Sequence, residues 1–226
     1  MRRPLKGIDD NNILTSNQKA FLHAFAKSEL RDTFRLTGGT ALSAFYLEHR
    51  LSEDLDFFSS EKVPLSVLES FLKTIDTIKD ISFSRLFDRQ IFNLRTRDAG
   101  DLKVEFTAYS LASIEEYVSV NGLRIDGFLD IVVNKLCAIA DRVDAKEYVD
   151  VYCALMSSDL SLKRLMDFAE RKCDIKGIRH VLKSRLLQIP GGISKLPLRR
   201  PLTEDEVKAL FERLLRDIIA GEISAG

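Results

Sequence analysis

Apolar positions along the chain change period twice, and the changes divide it. From Ser16 to Leu30 the residues Ala20, Phe21, Ala24 and Phe25 recur at helical spacing, with Ser16 as the expected N-cap. The polar stretch ahead of them, residues 1–14, reads as a loose arm. A short apolar run from Phe34 to Leu36 reads as a strand, Thr37-Gly38-Gly39-Thr40 as a tight turn, and Ala41, Leu42, Phe45 and Tyr46 as one face of a helix. Asp54-Leu55-Asp56-Phe57 then opens a second strand-like run. Pro64 suits a helix start, and Val67, Leu68, Phe71, Leu72 and Ile75 supply its apolar face. Between residues 81 and 107 the period drops to two. Ile81, Phe83 and Leu86 begin one strand, Ile91 to Thr96 make another, and Leu102 to Thr107 pair back across an Asp98-Ala99-Gly100-Asp101 turn.

After Gly127 the strand pattern stops. Helices are expected over 128–141, 145–156, 161–173 and 177–187. A Gly- and Pro-rich linker, IPGGISKLPLRRP, follows, and Thr203-Glu204-Asp205-Glu206 is a capping-box signal for a last helix ending near Ala220. The pattern predicts an α+β chain in two parts: a mixed sheet with helices packed on it over residues 1–125, and an all-helical domain over 126–226.

Composition narrows the function classes. The 226 residues carry 34 Lys+Arg against 34 Asp+Glu, so there is no global bias toward nucleic acid or membrane. Locally, residues 161–200 hold 11 Lys/Arg against 3 Asp/Glu, a surface that would suit a phosphate-rich partner or simply form solvated helix faces. Cys137, Cys153 and Cys173 lack metal-ligand spacing and sit among apolar helical neighbours, so they are expected to be reduced core residues. The start of the chain lacks a signal-peptide core, and no apolar run reaches the roughly 18 residues of a membrane span, so a cytoplasmic protein is expected.

The candidate chemistry centres on residues 34–58. Asp54 and Asp56 are two apart in a strand and project to the same side, while Leu55 and Phe57 face the core. Paired carboxylates repel unless a cation joins them, and a divalent metal is the usual partner. The Gly38-Gly39 turn leaves backbone N–H groups at a helix start, where a phosphate can bind, and Thr40 would add a hydroxyl donor. Glu105 lies on the polar side of its strand, with Lys103, and could complete a metal site. Lys135 shares a helix face with Ile131, Val132 and Ile139, so its ammonium must snorkel, pair or act; Asp150 on the next helix is a partner for it or a separate site residue. A phosphate cradle beside metal-binding carboxylates is the equipment of phosphoryl or nucleotidyl transfer.

Gly-Gly-Thr followed about a dozen residues later by Asp-x-Asp resembles the DNA polymerase β-like nucleotidyltransferase superfamily. The longer string GGTAL…YLEHRLSEDLDFF, with NKLCAIADRVDAKEYVDVYCAL further on, resembles the AbiEii branch of abortive-infection toxins from type IV toxin–antitoxin systems. The resemblance covers most of residues 34–155. It assigns Lys135, Arg142, Lys146 and Asp150 to the family's Lys, Arg, Lys and Asp positions, with Glu147 where an Asp is usual. It implies a nucleotidyltransferase core and a Mg²⁺-dependent transfer of a nucleoside monophosphate from an NTP. In that scheme Asp54, Asp56 and Glu105 hold the metal, and Gly38, Gly39, Thr40, Arg50, Lys135 and Arg142 contact the nucleotide. Asp150 would orient Lys135 or the nucleophile, and an interdomain salt-bridge network is the plainer use of the same charges. The resemblance also implies a cognate antitoxin and a tRNA 3′ end as acceptor. A small-molecule nucleotidyltransferase and a non-catalytic nucleotide-binding module are the competing readings.

Overall fold

In the computed structural model of the chain, which describes residues 5–97, 100–173 and 175–224, the first helix, α1 (Ser16–Lys27), starts at a reciprocal cap. The Thr15 hydroxyl accepts from the Gln18 N–H at 3.2 Å, and the Gln18 side chain accepts from the Thr15 N–H at 2.9 Å. The cap is therefore Thr15, one residue before the Ser16 expected from spacing, because only from Thr15 does a Gln fall at the third helical position. The ten residues before α1 are not a loose arm where they are described. Ile8, Ile13 and Leu14 are buried, and Asn11 donates to the Ala44 carbonyl at 2.6 Å while accepting from the Ile13 N–H. Three scattered apolar residues have no period, so their burial leaves no pattern in the sequence.

The chain divides into two compact units, Met1–Phe128 and Leu129–Gly226. In the first unit the strands are β1 (Arg35–Thr37), β2 (Leu55–Ser59), β3 (Ile78–Leu86), β4 (Arg89–Thr96), β5 (Asp101–Ala108), β6 (Val118–Val120) and β7 (Leu123–Ile125). They form one mixed sheet in the order β3-β4-β5-β2-β1-β7-β6. β2 runs parallel to β5 and β1 parallel to β7; the other neighbours are antiparallel. Between β1 and β2 lie α2 (Gly38–Ala41) and the π-helical turns Leu42–Leu47 that continue it. A third helix, α3 (Leu65–Lys73), follows β2. Asp98 and Ala99 of the expected β4–β5 turn lie outside the described residues.

Alternation sorts the two sheet faces. Leu55 and Phe57 of β2, Val104 and Phe106 of β5 and Phe92 of β4 point to one side and are buried. Phe21 and Phe25 of α1 and Phe71 of α3 cover that side: Phe25 stacks on Phe57 with ring centroids 4.3 Å apart and meets Phe71 edge-on at 5.5 Å. Each such side chain removed from water contributes about 1.5–3 kcal/mol. The opposite face keeps the polar positions of the same strands. β6 and β7 had no forecast. At three residues each they are too short to show a period, although their Asn121-Gly122 turn, with φ of 49° and 85°, is a recognised hairpin signal.

The second unit contains α4 (Phe128–Asp141) from its second residue, α5 (Ala145–Met156), α6 (Leu162–Lys172), α7 (Ile178–Arg185) and α8 (Glu204–Ser224). Thr203 and Glu206 exchange the capping-box hydrogen bonds that start α8. Tyr148 of α5 is buried against Phe211 of α8 and donates to the Arg185 carbonyl at 2.7 Å. From spacing alone the cysteines are expected to stay reduced; in the structure Cys137 of α4 is bonded to Cys173 at the end of α6, with Cα atoms 6.4 Å apart. A pairing across 36 residues is set by the packing of two helices and leaves no spacing motif. Among the described residues no helix is long and apolar enough to cross a membrane.

Candidate active site

The parallel pairing of β2 with β5 sets Asp56 beside Glu105 as direct neighbours, one step after the Leu55–Val104 pair. Both carboxylates are on the polar face, since their neighbours Leu55, Phe57, Val104 and Phe106 fill the core. Asp54, two residues before Asp56, extends the row. All three predicted carboxylates are thus brought to one patch of the sheet. Glu105 is the most enclosed, with its side chain 10% exposed, whereas that of Asp54 is 40% exposed. The Lys103 ammonium stands between two of them, 3.4 Å from Asp54 Oδ2 and in contact with Glu105 Oε1. Arg89 of β4 approaches the other Glu105 oxygen at 3.7 Å. Burial on its own would lower the Lys103 pKa; the Glu105 hydrogen bond and the charges of Asp54 and Glu105 outweigh it and hold the ammonium above the ordinary lysine value.

Among the described residues no three His, Cys, Asp or Glu side chains converge closely enough to hold a metal ion as they stand. Glu105 is turned into Lys103 and Arg89 instead. The donor set is nonetheless that of a hard divalent cation: carboxylate oxygens, on a patch that already holds a positive charge.

The glycine turn lies against Asp56. Gly38 has a φ of 72°, and a Cβ built there would come within 2.8 Å of the Asp56 Cγ and closer still to a carboxylate oxygen. Only glycine gives both the backbone angle and the room. Thr37, opposite Asp56 in the β1–β2 register, is buried with its Oγ1 lacking a hydrogen-bond partner among the described residues. Two side chains expected to contact the nucleotide make hydrogen bonds within the protein. Thr40 is fully buried and its hydroxyl donates to the Asp54 carbonyl, because the first helical turn aims it back at the chain before β2. Thr40 thereby ties the start of the helix to the main chain at Asp54. Arg50 is 3% exposed; it donates to the Leu51 carbonyl at 3.0 Å, and its guanidinium packs over Gly39, where a Cβ would meet it at 2.5 Å. Gly39 makes room for that arginine.

Gln18 was missed as a site support. Buried in α1, it donates to the Ser52 and Glu53 carbonyls at 2.8 and 3.0 Å, which fixes the segment leading into Asp54. Its signal was its place three residues after Thr15. Lys103 was visible as a residue on the Glu105 side of the strand, but its role depends on Asp54 being level with it, which is a matter of strand pairing.

In the helical unit, Lys135 lies between Glu147 at 2.7 Å and Asp150 at 3.0 Å, and Arg142 contacts the other oxygen of Glu147. Asp150 is fully buried and Glu147 nearly so, so these charges form a local network. Burial opposes the Arg142 charge, but the Glu147 hydrogen bond wins and raises its pKa. Part of the basic excess of residues 161–200 is held in ion pairs. Lys172 meets the buried Asp130 at 2.6 Å, Lys183 meets Glu222 at 2.6 Å, and Arg179 meets Asp167 and Glu170 at 2.6 and 2.8 Å. Arg171 lies over the Phe168 ring.

The geometry has counterparts. The crystal structure of JHP933 from Helicobacter pylori superposes with a TM-score of 0.62 at 22% identity, covering 94% of this chain and 97% of that one. MenT4, a nucleotidyltransferase toxin from Mycobacterium tuberculosis H37Rv, superposes with a TM-score of 0.57 at 17% identity, covering 88% of this chain and 82% of that one. At these identities both are evidence of a shared fold. The uncharacterized protein aq_aa25 of Aquifex aeolicus (strain VF5) is 29% identical over 162 residues, 70% of this chain and 75% of that protein. The family model described as "Nucleotidyl transferase AbiEii toxin, Type IV TA system" matches residues 20–225, a span that includes the carboxylates, the glycine turn and the helical unit, and the chain belongs to that family of nucleotidyltransferase toxins.

Proposed function

We propose that the protein transfers a nucleoside monophosphate from an NTP to the terminal hydroxyl of an RNA, with a tRNA 3′ end as the acceptor, and that the row Asp54, Asp56 and Glu105 is where the transfer occurs. The observation that carries the reading is the side-by-side register of Asp56 and Glu105 next to a positive-φ glycine turn. Asp54 and Asp56, joined by Glu105 once it turns from Lys103, would hold Mg²⁺, which supplies charge neutralisation at the phosphates when bound. Glu105 helps to remove the proton of the attacking hydroxyl. The new bond forms from that oxygen to the α-phosphorus, the α–β phosphoanhydride breaks, and pyrophosphate leaves. The backbone at Gly38 and Gly39, with the unpartnered Thr37 hydroxyl, supports a cradle for phosphate oxygens. Thr40 and Gln18 hold the main chain that aims Asp54.

For the helical unit the reading assigns phosphate binding to Lys135, with Asp150 and Glu147 fixing its orientation and Arg142 alongside. Family membership brings an antitoxin partner, which would restrain the activity in a cytoplasmic setting. The pairing of Lys172, Lys183 and Arg179 favours a view of residues 161–200 as structural charge, so the acceptor site is not assigned to them. The test is incubation of the protein with each labelled NTP, Mg²⁺ and total bacterial RNA, beside the Asp54→Ala/Asp56→Ala variant. Label moving into the tRNA band with the native chain alone supports the proposal. Label appearing only in small molecules would favour a small-molecule acceptor, and equal labelling by the variant would remove the carboxylates from the chemistry.

A further inference from the structure

We propose that Lys103 is the built-in counter-cation of this site: a positioning residue that joins Asp54 to Glu105 and competes with a divalent ion for the same oxygens. The inference rests on the carboxylate row being a metal site. Three neighbouring carboxylates repel one another, and Lys103 and Arg89 are cations that face two of them, Asp54 and Glu105. Arg89 approaches Glu105 from β4 at 3.7 Å, on the oxygen away from Lys103. Lys103 spans the gap between Asp54 and Glu105: it precedes Val104 as Asp54 precedes Val104's β2 partner Leu55, and Glu105 lies two residues further along its own strand. Its ammonium touches one oxygen from each carboxylate. An ion binding Asp54 and Glu105 together needs those oxygens, so it must displace the ammonium, whose flexible stem and 37% exposed side chain let it swing away.

Two consequences follow. The native chain binds a lone divalent ion weakly, since the competent arrangement is only a fraction of the population. It also keeps Asp54 and Glu105 near one another without metal. The freed ammonium is then a cation beside the phosphates.

The experiment is Mn²⁺ titration of the full chain without nucleotide, followed by the EPR signal of free Mn²⁺, with thermal melts of the same samples. The variants are Lys103→Met, Lys103→Gln and Lys103→Arg. The expected result is that Met and Gln tighten Mn²⁺ binding about tenfold, the factor for an ammonium that holds the site nine-tenths of the time. Without metal they melt below the native protein, and Mn²⁺ raises their melting temperature more than it raises that of the native chain. Lys103→Arg stays close to native in both readouts. Unchanged or weaker Mn²⁺ affinity in a folded Met or Gln variant overturns the role of Lys103 and leaves the metal site standing. If the native and Met proteins both bind no more Mn²⁺ than Asp54→Ala/Asp56→Ala, the metal site itself is refuted and the inference falls with it.

Discussion

Replacing Gly38 by alanine separates two costs that the structure places at one residue. The backbone there has a φ of 72°, which a side-chain-bearing residue adopts at about 1–2 kcal/mol. In addition, the new Cβ would lie 2.8 Å from the Asp56 Cγ and 2.9 Å from its Cβ, closer than real side chains approach. Relieving that contact means moving β2 or the turn, an overpacking cost of about 1–3 kcal/mol. Gly177 supplies the control, since its φ is 69° and nothing lies within 4 Å of a Cβ built on it. Gly177→Ala should therefore lose about 1–2 kcal/mol in urea unfolding and keep its transfer activity. Gly38→Ala should lose about 2–5 kcal/mol and, at matched folded protein, about 100-fold in transfer rate, because a carboxylate displaced by roughly 1 Å no longer meets its partners. Equal destabilisation of the two variants, or a Gly38→Ala enzyme with native rates, would refute the packing of the turn on Asp56.

Thr40→Val removes the hydroxyl that holds the Asp54 carbonyl; the buried acceptor left behind should cost about 1–3 kcal/mol in urea unfolding, with the turnover rate falling more than NTP affinity. Lys172→Met leaves the buried Asp130 without its 2.6 Å partner and should cost about 3–5 kcal/mol by chemical denaturation, most of it recovered in Lys172→Met/Asp130→Leu. Arg179 and Lys163 hold the Asp167 carboxyl below the ordinary value of 3.8. A lowered folded-state pKa contributes stability that is present above 3.8 and disappears as pH falls through the folded value, so Asp167→Asn should flatten the acid limb of melting temperature against pH. An unchanged acid limb in that variant would remove Asp167 as a source of the pH dependence.

Much of this architecture was legible because it is periodic. The 128–141 and 145–156 helices were read to their end residues, and alternation in Leu102 to Phe106 assigned Glu105 to the polar face before any strand pairing was known. Asp54 and Asp56 were legible for the same reason. What escaped depends on contacts between distant parts of the chain. The Thr40 hydroxyl and the Arg50 guanidinium are the right groups for phosphate by type, and their bonds to the Asp54 and Leu51 carbonyls could not be read from spacing. The partners of Lys172 and Lys183, Asp130 and Glu222, lie outside the 161–200 window and so escaped a local charge count. The Cys137–Cys173 bridge and the β6–β7 hairpin likewise leave no local periodicity.

The account stands most directly on single substitutions within the carboxylate row. Transfer of label from NTP to RNA should be measured for Asp56→Asn and Glu105→Gln, each checked for native folding by circular dichroism. Both should fall by about 1,000-fold or more, as expected when a group acting on the reacting phosphates is neutralised. A folded Asp56→Asn protein that labels RNA at the native rate would contradict the account.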